Sequence, residues 1–353
     1  MTTLTLIYNL ALLGSLLGGL LRVLRRPRAD RLAPARQGLI LLCGVAAVGA
    51  AVLPLGGFAR FQLLAWAAFL HGPLYLIAAA TLLRHRRRIA AAAVLAATLV
   101  WAVGVDAFLV EPRWLEVTRI ELRTNRIDAP LTIALLADIQ TDDPGAWERE
   151  VFERVAAAAP DLVLFAGDYV QHHDPGDHAA SVSRLNTLLR ESGLAPRLGI
   201  VAVQGNVDHR GWERIFDGTG ARASGARQVY DLGPVTVTAL SLAEAFDGAG
   251  IDPAEGFHIV LGHAPDFALE DPPADLMVAG HTHGGQVRVP LLGPIFTLSR
   301  VPRAWAAGVT EVQPGSTLVV SRGIGMERED APRLRFLCRP ELILIDLVPG
   351  PGS

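Results

Sequence analysis

The chain has 353 residues, of which 51% are hydrophobic, and its formal net charge is -3. This near-neutral balance gives no support to binding of nucleic acid through bulk positive charge. A single water-soluble domain of this length is unusual at that hydrophobic content, so the sequence predicts two or three structural units. The two cysteines, Cys43 and Cys338, lie far apart in the sequence, which argues against a disulfide framework and a cysteine-rich zinc site.

The first third of the chain holds four long apolar runs, at residues 4–24, 39–55, 61–83 and 89–110. Each is close to the ~20 residues that cross the hydrocarbon core of a bilayer. The first run does not resemble a signal peptide, because its arginines follow it instead of preceding it. Buried helices of a soluble bundle are the other interpretation, but four successive runs with almost no charge favour membrane spans. The sequence therefore predicts an all-α membrane domain of four transmembrane helices over residues 1–112.

Arginines in the connections between these runs set the predicted orientation. They cluster after the first run and in the third connection, whereas the second connection has only Arg60. Basic connections stay in the cytoplasm, so residues 113–353 are predicted to lie outside it. The composition favours a bacterial source, and the prediction is then a multi-pass protein of the cytoplasmic (inner) membrane with an extracytoplasmic domain.

Beyond the membrane region, short apolar runs alternate with helical patterns, which predicts an α/β domain. Five of these runs, at 131–137, 162–166, 198–203, 257–261 and 276–279, are each followed by residues that can bind metal. Side chains at the C-terminal ends of strands in an α/β sheet face a common crevice. The predicted metal ligands are Asp138, Gln140, Asp168, Asn206, His263, His281 and His283.

Two carboxylates, two carboxamides and three imidazoles form a mixed oxygen and nitrogen ligand set that suits two divalent cations. A single Gly-Asp or Gly-His pair is more often only a turn. The segment Gly-His-Thr-His-Gly-Gly at 280–285 is more specific, because two imidazoles lie one residue apart between tight turns. The five motifs together therefore predict a dinuclear metal site.

The order of these motifs resembles that of the calcineurin-like metallophosphoesterases, and within them a bacterial membrane-associated branch. The family pattern is Asp-x-His, Gly-Asp, Gly-Asn-His-Asp, Gly-His and Gly-His-x-His, and the likeness extends from residue 131 to 347. The resemblance implies a four-layer α/β/β/α sandwich with the site between two sheets. It also implies a metal-dependent phosphoric ester hydrolase with two divalent metal ions, for which Mn, Mg, Fe and Zn are the candidates.

The same resemblance implies a role for each predicted ligand. Asp168 would bridge both cations and, together with Asn206, would be catalytic. The first cation would also be held by Asp138 and His283, and the second by Asn206, His263 and His281. Two cations about 3.5–4 Å apart can share a hydroxide and clamp a phosphoryl group for in-line attack.

Gln140 departs from the family pattern, which has histidine at this position. Either the side-chain oxygen of Gln140 binds a cation, or Asp142 or a water completes the ligand shell. An oxygen ligand favours Mn or Mg over Zn or Fe at the first site.

Val207 is the second departure, because the family has a histidine there, near the leaving group. Valine cannot donate a proton, so His209 is predicted to take that catalytic role, with His172 and His173 as the alternatives. A good leaving group needs less help from a general acid. The departure therefore favours a phosphodiester or pyrophosphate over an alkyl monoester.

The sequence thus predicts a membrane-anchored enzyme that hydrolyses a phosphodiester, pyrophosphate or phosphomonoester bond with metal-activated hydroxide. The partner is a phosphorylated small molecule or lipid, a lipid-linked substrate fits the membrane spans, and no nucleic acid is expected. Arginines at 288, 300, 303 and 322 suit phosphate oxygens, with solvated surface charge as the alternative. The alternative function is a metal-binding membrane regulator or receptor that has lost catalysis. Retention of six family-like ligands favours the enzyme.

Overall fold

The computed structural model describes residues 3–172, 174–248 and 250–350. His173, one of the alternative proton donors, lies outside the described residues. The chain divides into two compact units. The first unit ends at Leu109 and also includes the short segment Asp330–Arg333. The second unit consists of the stretch from Val110 to Glu329 and the stretch that begins at Leu334. The predicted domain limits, 1–112 and 113–353, stay a prediction.

The first unit is helical, as predicted. Its helices are α1 (Thr3–Leu24), α2 (Leu32–Val52), α3 (Gly57–Trp66), α4 (Gly72–Leu82) and α5 (Arg87–Val105). Four stretches are long and apolar enough to cross a membrane: Thr3–Leu24, Leu32–Val52, Gly57–Leu82 and Arg87–Arg113. The second of these begins at Leu32 rather than at residue 39, so Arg36 lies inside the helix and not in the connection before it.

The third of these apolar stretches is continuous because a π-helical turn, Ala67–His71, joins α3 to α4. Pro73 lies at the start of α4 and has no N–H to donate to the preceding turn. A wider turn of this kind is a common local accommodation in an otherwise regular helix.

Small residues allow α1 and α2 to approach each other closely. A Cβ added at Gly38 would lie 3.0 Å from the Cα of Gly19 and 2.1 Å from the hydroxyl of Tyr75. That hydroxyl donates to the carbonyl of Ala35 at 2.7 Å. Close backbone contact at small residues is a typical means of packing helices inside a membrane.

The second unit is built on two six-stranded sheets. Its strands are β1 (Glu116–Thr124), β2 (Leu131–Leu136), β3 (Leu162–Phe165), β4 (Ile200–Val203), β5 (Arg222–Ser224), β6 (Gln228–Asp231), β7 (Val235–Ala239), β8 (Phe257–Leu261), β9 (Leu276–Ala279), β10 (Arg288–Val289), β11 (Gly293–Pro294), β12 (Gly308–Gln313), β13 (Ser316–Val320) and β14 (Glu341–Pro349). The first sheet has the order β1-β14-β2-β3-β4-β5 and the second β12-β13-β9-β8-β7-β6. Its helices are α6 (Ala146–Ala157), α7 (Pro175–Glu191) and α8 (Leu242–Asp247).

Alternation along the strands explains how these elements form layers. In β2, Ile133 and Leu135 belong to the core between the two sheets, whereas Ala134 and Leu136 pack under α6 and α7. The outer face of the second sheet is covered by the helical turn Pro265–Glu270, against which α8 packs. The predicted four-layer α/β/β/α sandwich is confirmed.

The five runs predicted to precede metal ligands are all strands, namely β2, β3, β4, β8 and β9. β2, β3 and β4 are parallel neighbours in the first sheet, and β8 and β9 are parallel neighbours in the second. Their C-terminal ends therefore lie at one edge of each sheet, which is the edge where the site is built.

Candidate metal centre

The loops after β2 and β3 place two buried carboxyl groups, Asp138 and Asp168. Both residues have a left-handed backbone, with φ of 50° and 57°. The loops are tied together, because the N–H of Asp138 donates to the carbonyl of Gly167 at 3.0 Å. A Cβ added at Gly205 would lie 2.1 Å from Oδ1 of Asp168, so the carboxylate needs a glycine beside it.

Asp168, His263 and His281 each place a potential ligand atom within 4.8 Å of the other two. Nε2 of His263 lies 3.4 Å from Oδ2 of Asp168. His263 is held in place from behind, because its Nδ1 lies 2.8 Å from the carbonyl of Ala166, which only accepts. Nδ1 therefore carries the proton and Nε2 presents a lone pair to the site.

Asn206 faces the same point. Its Oδ1 lies 2.8 Å from Nε2 of His263. Burial lowers the pKa of His263 to about 4, so the ring is neutral at pH 7 and its single proton is on Nδ1. Two lone pairs thus face each other at hydrogen-bond distance with no proton between them, an arrangement that a cation stabilises.

His281 is anchored through its backbone and one ring nitrogen. Its N–H lies 3.0 Å from each carboxylate oxygen of Asp138. Its Nε2 lies 3.1 Å from the carbonyl of Leu298 and donates to it, which leaves Nδ1 for a ligand. The rings of His281 and His263 have centroids 5.0 Å apart.

His283 is also buried, and its Nδ1 lies 3.5 Å from Nη2 of Arg335. A guanidinium nitrogen only donates, so this contact places the proton of the neutral ring on Nε2. Binding of a cation through Nε2 would require the proton to move to Nδ1 and the contact with Arg335 to be lost. The Arg335 guanidinium is fully buried and donates to the main-chain carbonyls of Arg322, Gly323, Gly325 and Cys338. Arg335 is not among the site residues predicted from the sequence.

Gln140 is fully buried, and of its two side-chain polar atoms only the nitrogen has partners among the described residues. Nε2 donates to Oε1 of Gln171 at 2.9 Å and to Oε2 of Glu327 at 3.0 Å. Oε1 of Gln140 has no hydrogen-bond partner among the described residues. A buried carbonyl oxygen without a donor is costly, and a cation is a partner that removes this cost.

Burial is the largest cause of the pKa shift in each of these groups. Burial and the neighbouring Asp168 carboxylate raise the pKa of Asp138 well above its usual value. Burial, with repulsion from Glu327, raises the pKa of Asp168 to about 7. Burial, then repulsion from His263, lowers the pKa of His281 to about 4. Clustered carboxyl groups beside neutral imidazoles fit divalent cations, because a cation stabilises the carboxylates and needs unprotonated imidazoles.

Comparison with known proteins agrees with this geometry. The model of the calcineurin-like phosphoesterase family matches residues 131–285, which contain every predicted ligand. The metallophosphoesterase YkuE of Bacillus subtilis is 33% identical over 270 residues, which cover 67% of this chain and 87% of YkuE. The chain belongs to the calcineurin-like metallophosphoesterase family.

Other relatives extend this finding. Phosphodiesterase YaeI of Escherichia coli is 30% identical over 255 residues, which cover 67% of this chain and 90% of YaeI. A metallophosphoesterase of Aquifex aeolicus is 25% identical over 242 residues, covering 62% of this chain and 83% of that protein. The chain is therefore a metal-dependent phosphoester hydrolase that uses divalent metal ions, and the predicted family and enzyme class are confirmed.

In this metallophosphoesterase, the backbone at Val207 makes a contact that the side chain cannot. The N–H of Val207 donates to Oδ1 of Asp168 at 2.9 Å. The next carboxylate, Asp208, accepts from the backbone N–H groups of Asp168, Tyr169 and Gly205 at 2.8–2.9 Å. Asp208 thus fixes the loops that carry two predicted ligands.

His209, the predicted substitute proton donor, lies at a pocket of 690 Å³ that His172 and His178 also line. Its ring centroid is 4.9 Å from that of His178. His172 points its Nε2 at the carbonyl of Asp142 and the hydroxyl of Ser181. The catalytic role of His209 stays a prediction.

Glu327 is a residue near the site that sequence reasoning missed. It accepts from Gln171 Nε2 at 2.7 Å as well as from Gln140, and its charge contributes to the raised pKa of Asp168. It lies in an irregular loop after Gly325, where no periodic pattern marks a buried position. The only sequence signal for this position is the nearby Gly-Ile-Gly turn. Its N–H groups, those of Ile324 and Gly325, donate to the carbonyls of Ala137 and Asp138 in the loop after β2.

The four candidate arginines have different surroundings. Arg322 pairs with Glu341 at 2.9 Å and Glu116 at 3.1 Å, and Arg300 pairs with Asp266 at 3.1 Å. Arg288 and Arg303 instead line a pocket of 330 Å³ beside Gly284. Arg322 and Arg300 therefore have protein carboxylates as partners.

Proposed function

We propose that this chain is a membrane-anchored phosphoesterase with a dinuclear metal site, which hydrolyses a phosphodiester or pyrophosphate bond in preference to a phosphomonoester. The observation that carries the proposal is the pair of lone pairs on His263 and Asn206, 2.8 Å apart and beside Asp168. A lipid-linked molecule is the favoured substrate class, because the same chain has four helices able to cross a membrane.

The predicted ligands would divide between two cations, with Asp168 belonging to both sets. Asp138, Gln140 and His283 would complete one set, and Asn206, His263 and His281 the other. When bound, divalent cations lower the pKa of water and neutralise charge on phosphoryl oxygens. The negative charge of Asp168 offsets the repulsion between the cations, and the N–H of Val207 holds this carboxylate in position.

The protein groups near the leaving oxygen determine which esters react. No side-chain donor is available at Val207, so the leaving group depends on His209 or His172 for a proton. A phosphate or aryl oxide departs with little such help, which supports diesters and pyrophosphates as substrates. The relative YaeI, a phosphodiesterase, supports the same class.

Turnover of an aryl phosphodiester and an aryl phosphomonoester by the full-length, metal-loaded protein tests this proposal. Asp168→Asn and His281→Ala are expected to abolish turnover, whereas Asp143→Asn, an exposed carboxylate on the same unit, should leave it unchanged. Absence of turnover in the wild type despite two bound metal equivalents would instead support the regulator or receptor.

The proposed location is the bacterial cytoplasmic membrane, with the catalytic domain on its extracytoplasmic side. It is supported by the arginine-rich connections after the first and third spans. Labelling of single cysteines at exposed positions of β1 in intact spheroplasts tests it. Labelling from the outer side is expected, and labelling only after the membrane is opened would reverse the orientation.

A further inference from the structure

A hairpin that follows the His-x-His motif exposes a row of large apolar side chains. Its strands, β10 and β11, pair antiparallel, and the tip residues Leu291 and Leu292 are 106% and 74% exposed. Ile295, Phe296 and Leu298 come next and are also exposed. Several exposed large apolar residues within one short segment mark an interaction site more often than an isolated exposed leucine does.

Folding alone gives no reason for leucine at the tip of this hairpin. Leu291 and Leu298 have left-handed backbones, with φ of 69° and 53°. Glycine adopts this conformation without penalty, whereas a side chain with a Cβ does not. Leu291 is 106% exposed and Leu298 is 63% exposed, so most of their apolar surface can be buried only by a partner outside the unit.

Positive charge accompanies the apolar tip. Arg288 and Arg303 line the 330 Å³ pocket together with Leu291, Leu292 and Gly293. Among the described residues, neither guanidinium forms an ion pair, in contrast to Arg300, which Asp266 neutralises. Guanidinium groups bind phosphate oxygens with two parallel hydrogen bonds. The pocket thus combines an apolar rim with two guanidinium groups that suit a phosphate.

We propose that this hairpin and the two guanidinium groups form a binding site for an anionic phospholipid of the surrounding bilayer. The acyl chains would contact Leu291 and Leu292, and the phosphate would lie between Arg288 and Arg303. A bilayer lipid is the occupant that the chain itself supplies, because four of its helices are able to cross a membrane and basic groups attract anionic lipid. The inference goes beyond the proposed hydrolysis, since the bound lipid need not react.

Spin labelling of the full-length protein in nanodiscs tests this site. A nitroxide is attached at Leu292→Cys, and for comparison at Val229→Cys on β6, which is 62% exposed on the same unit. Both are made in a Cys43→Ala background, since Cys338 is buried. Relaxation of the label by oxygen, which partitions into lipid, is compared with relaxation by a water-soluble nickel complex.

The expected result is that oxygen relaxes the Leu292 label more than the nickel complex does, with the reverse at Val229. Phosphatidylglycerol discs should strengthen this difference relative to phosphatidylcholine discs, and Arg288→Gln with Arg303→Gln should remove the lipid preference. Leu291→Ser, with the label kept at position 292, should shift the equilibrium towards the water-exposed state about tenfold. Equal nickel access at Leu292 and Val229, or no effect of lipid charge, would overturn the proposal. Turnover of a soluble aryl diester, measured in parallel, separates this outcome from failure of the enzyme proposal.

Discussion

Replacing Gln140 with methionine isolates the question of whether its side-chain oxygen binds a cation. Methionine keeps the length and burial of the side chain but has neither an N–H nor a carbonyl. In the wild type, the nitrogen of Gln140 donates to Gln171 and Glu327, and its oxygen has no partner among the described residues. The substitution therefore removes two hydrogen bonds and one orphaned oxygen together.

The effect on the metal-free protein follows from these contacts. Two lost hydrogen bonds cost about 2 kcal/mol together, and somewhat more because Glu327 is charged. Oε1 of Gln171 keeps a second donor, the N–H of Arg328 at 2.9 Å. Of the two acceptors, only Oε2 of Glu327 therefore loses its described donor. Removing the orphaned oxygen of Gln140 returns about 1–3 kcal/mol. The two effects largely offset, so the free energy of unfolding should change by less than about 2 kcal/mol.

The metal-loaded protein should respond differently, because methionine cannot replace an oxygen ligand of Mn or Mg. We expect the cation at the first site to bind at least about 10- to 100-fold more weakly. That range is known for the loss of an outer-shell partner, and the loss of a direct ligand should cost no less. This corresponds to about 1.4–2.8 kcal/mol less stabilisation by metal. Thermal melting of the full-length protein, with a chelator and with Mn, measures both quantities.

Gln171→Met is the matched control, because it disturbs the same hydrogen-bonded group without removing a predicted ligand. Its metal-induced shift in melting temperature should stay close to that of the wild type. If Gln140→Met shows the full wild-type shift, its oxygen is not a ligand, and Asp142 or a water completes the shell.

Three further predictions concern the same unit. Arg335→Met removes a donor from four main-chain carbonyls, of which that of Gly323 keeps the N–H of Glu341. It should lower the free energy of unfolding by about 3 kcal/mol or more, measured by melting against the more exposed Arg339→Met. In the metal-free protein, the pKa values of Asp168 and Asp208 are raised from 3.8 to about 7, so between these values the folded state holds protons that the unfolded state has released, and stability falls as pH rises. His263 and His281, whose pKa values are lowered from 6.5 to about 4, oppose this fall up to about pH 6.5, so the net fall is expected as pH rises from about 6.5 through 7. Saturating Mn should abolish that fall, and a flat metal-free profile would contradict it. His209→Ala should reduce turnover of a monoester more than that of an aryl diester, and an equal reduction of both would exclude a role in leaving-group protonation.

The positions of the metal motifs were predictable from the sequence because two simple patterns coincide. Apolar runs such as β2 and β9 are short enough to be strands, and each is followed at once by a carboxylate or an imidazole. Parallel strands bring their C-terminal ends to one edge, so the ligands converge without any knowledge of the loops. The four long apolar helices were predictable for an equally simple reason, which is the length and apolar composition of their sequences.

Interactions that depend on irregular loops could not be predicted in this way. Arg335 and Glu327 are charged residues in loops without periodicity, where exposure to solvent is the ordinary expectation. The full burial of Arg335 and the partial burial of Glu327 are connected with the turn at Gly323–Gly325. This turn lies so close to Asp138 that a Cβ at Gly323 would be 2.8 Å from the Cβ of Asp138. β14 was not predicted for a related reason. It lies between β1 and β2 and is buried along most of its length, so its sequence lacks the alternation of apolar and polar residues that indicates a strand.

The exchange of histidine for glutamine at position 140 changes more than one ligand atom. An imidazole has two nitrogens, so it can bind a cation with one and donate at most one hydrogen bond with the other. Gln140 makes two donations, to Gln171 and Glu327, and still has an oxygen free for a cation. The donation from Gln140 holds the Glu327 carboxylate near Asp168. The negative charge of Glu327 contributes to the raised pKa of Asp168. A first metal site with a weaker individual ligand but a more negative surrounding should favour hard cations such as Mn or Mg. Gln140→His should then shift the preference towards Zn and release Glu327 from one of its two side-chain donors, and an unchanged metal preference in competition binding would refute this account.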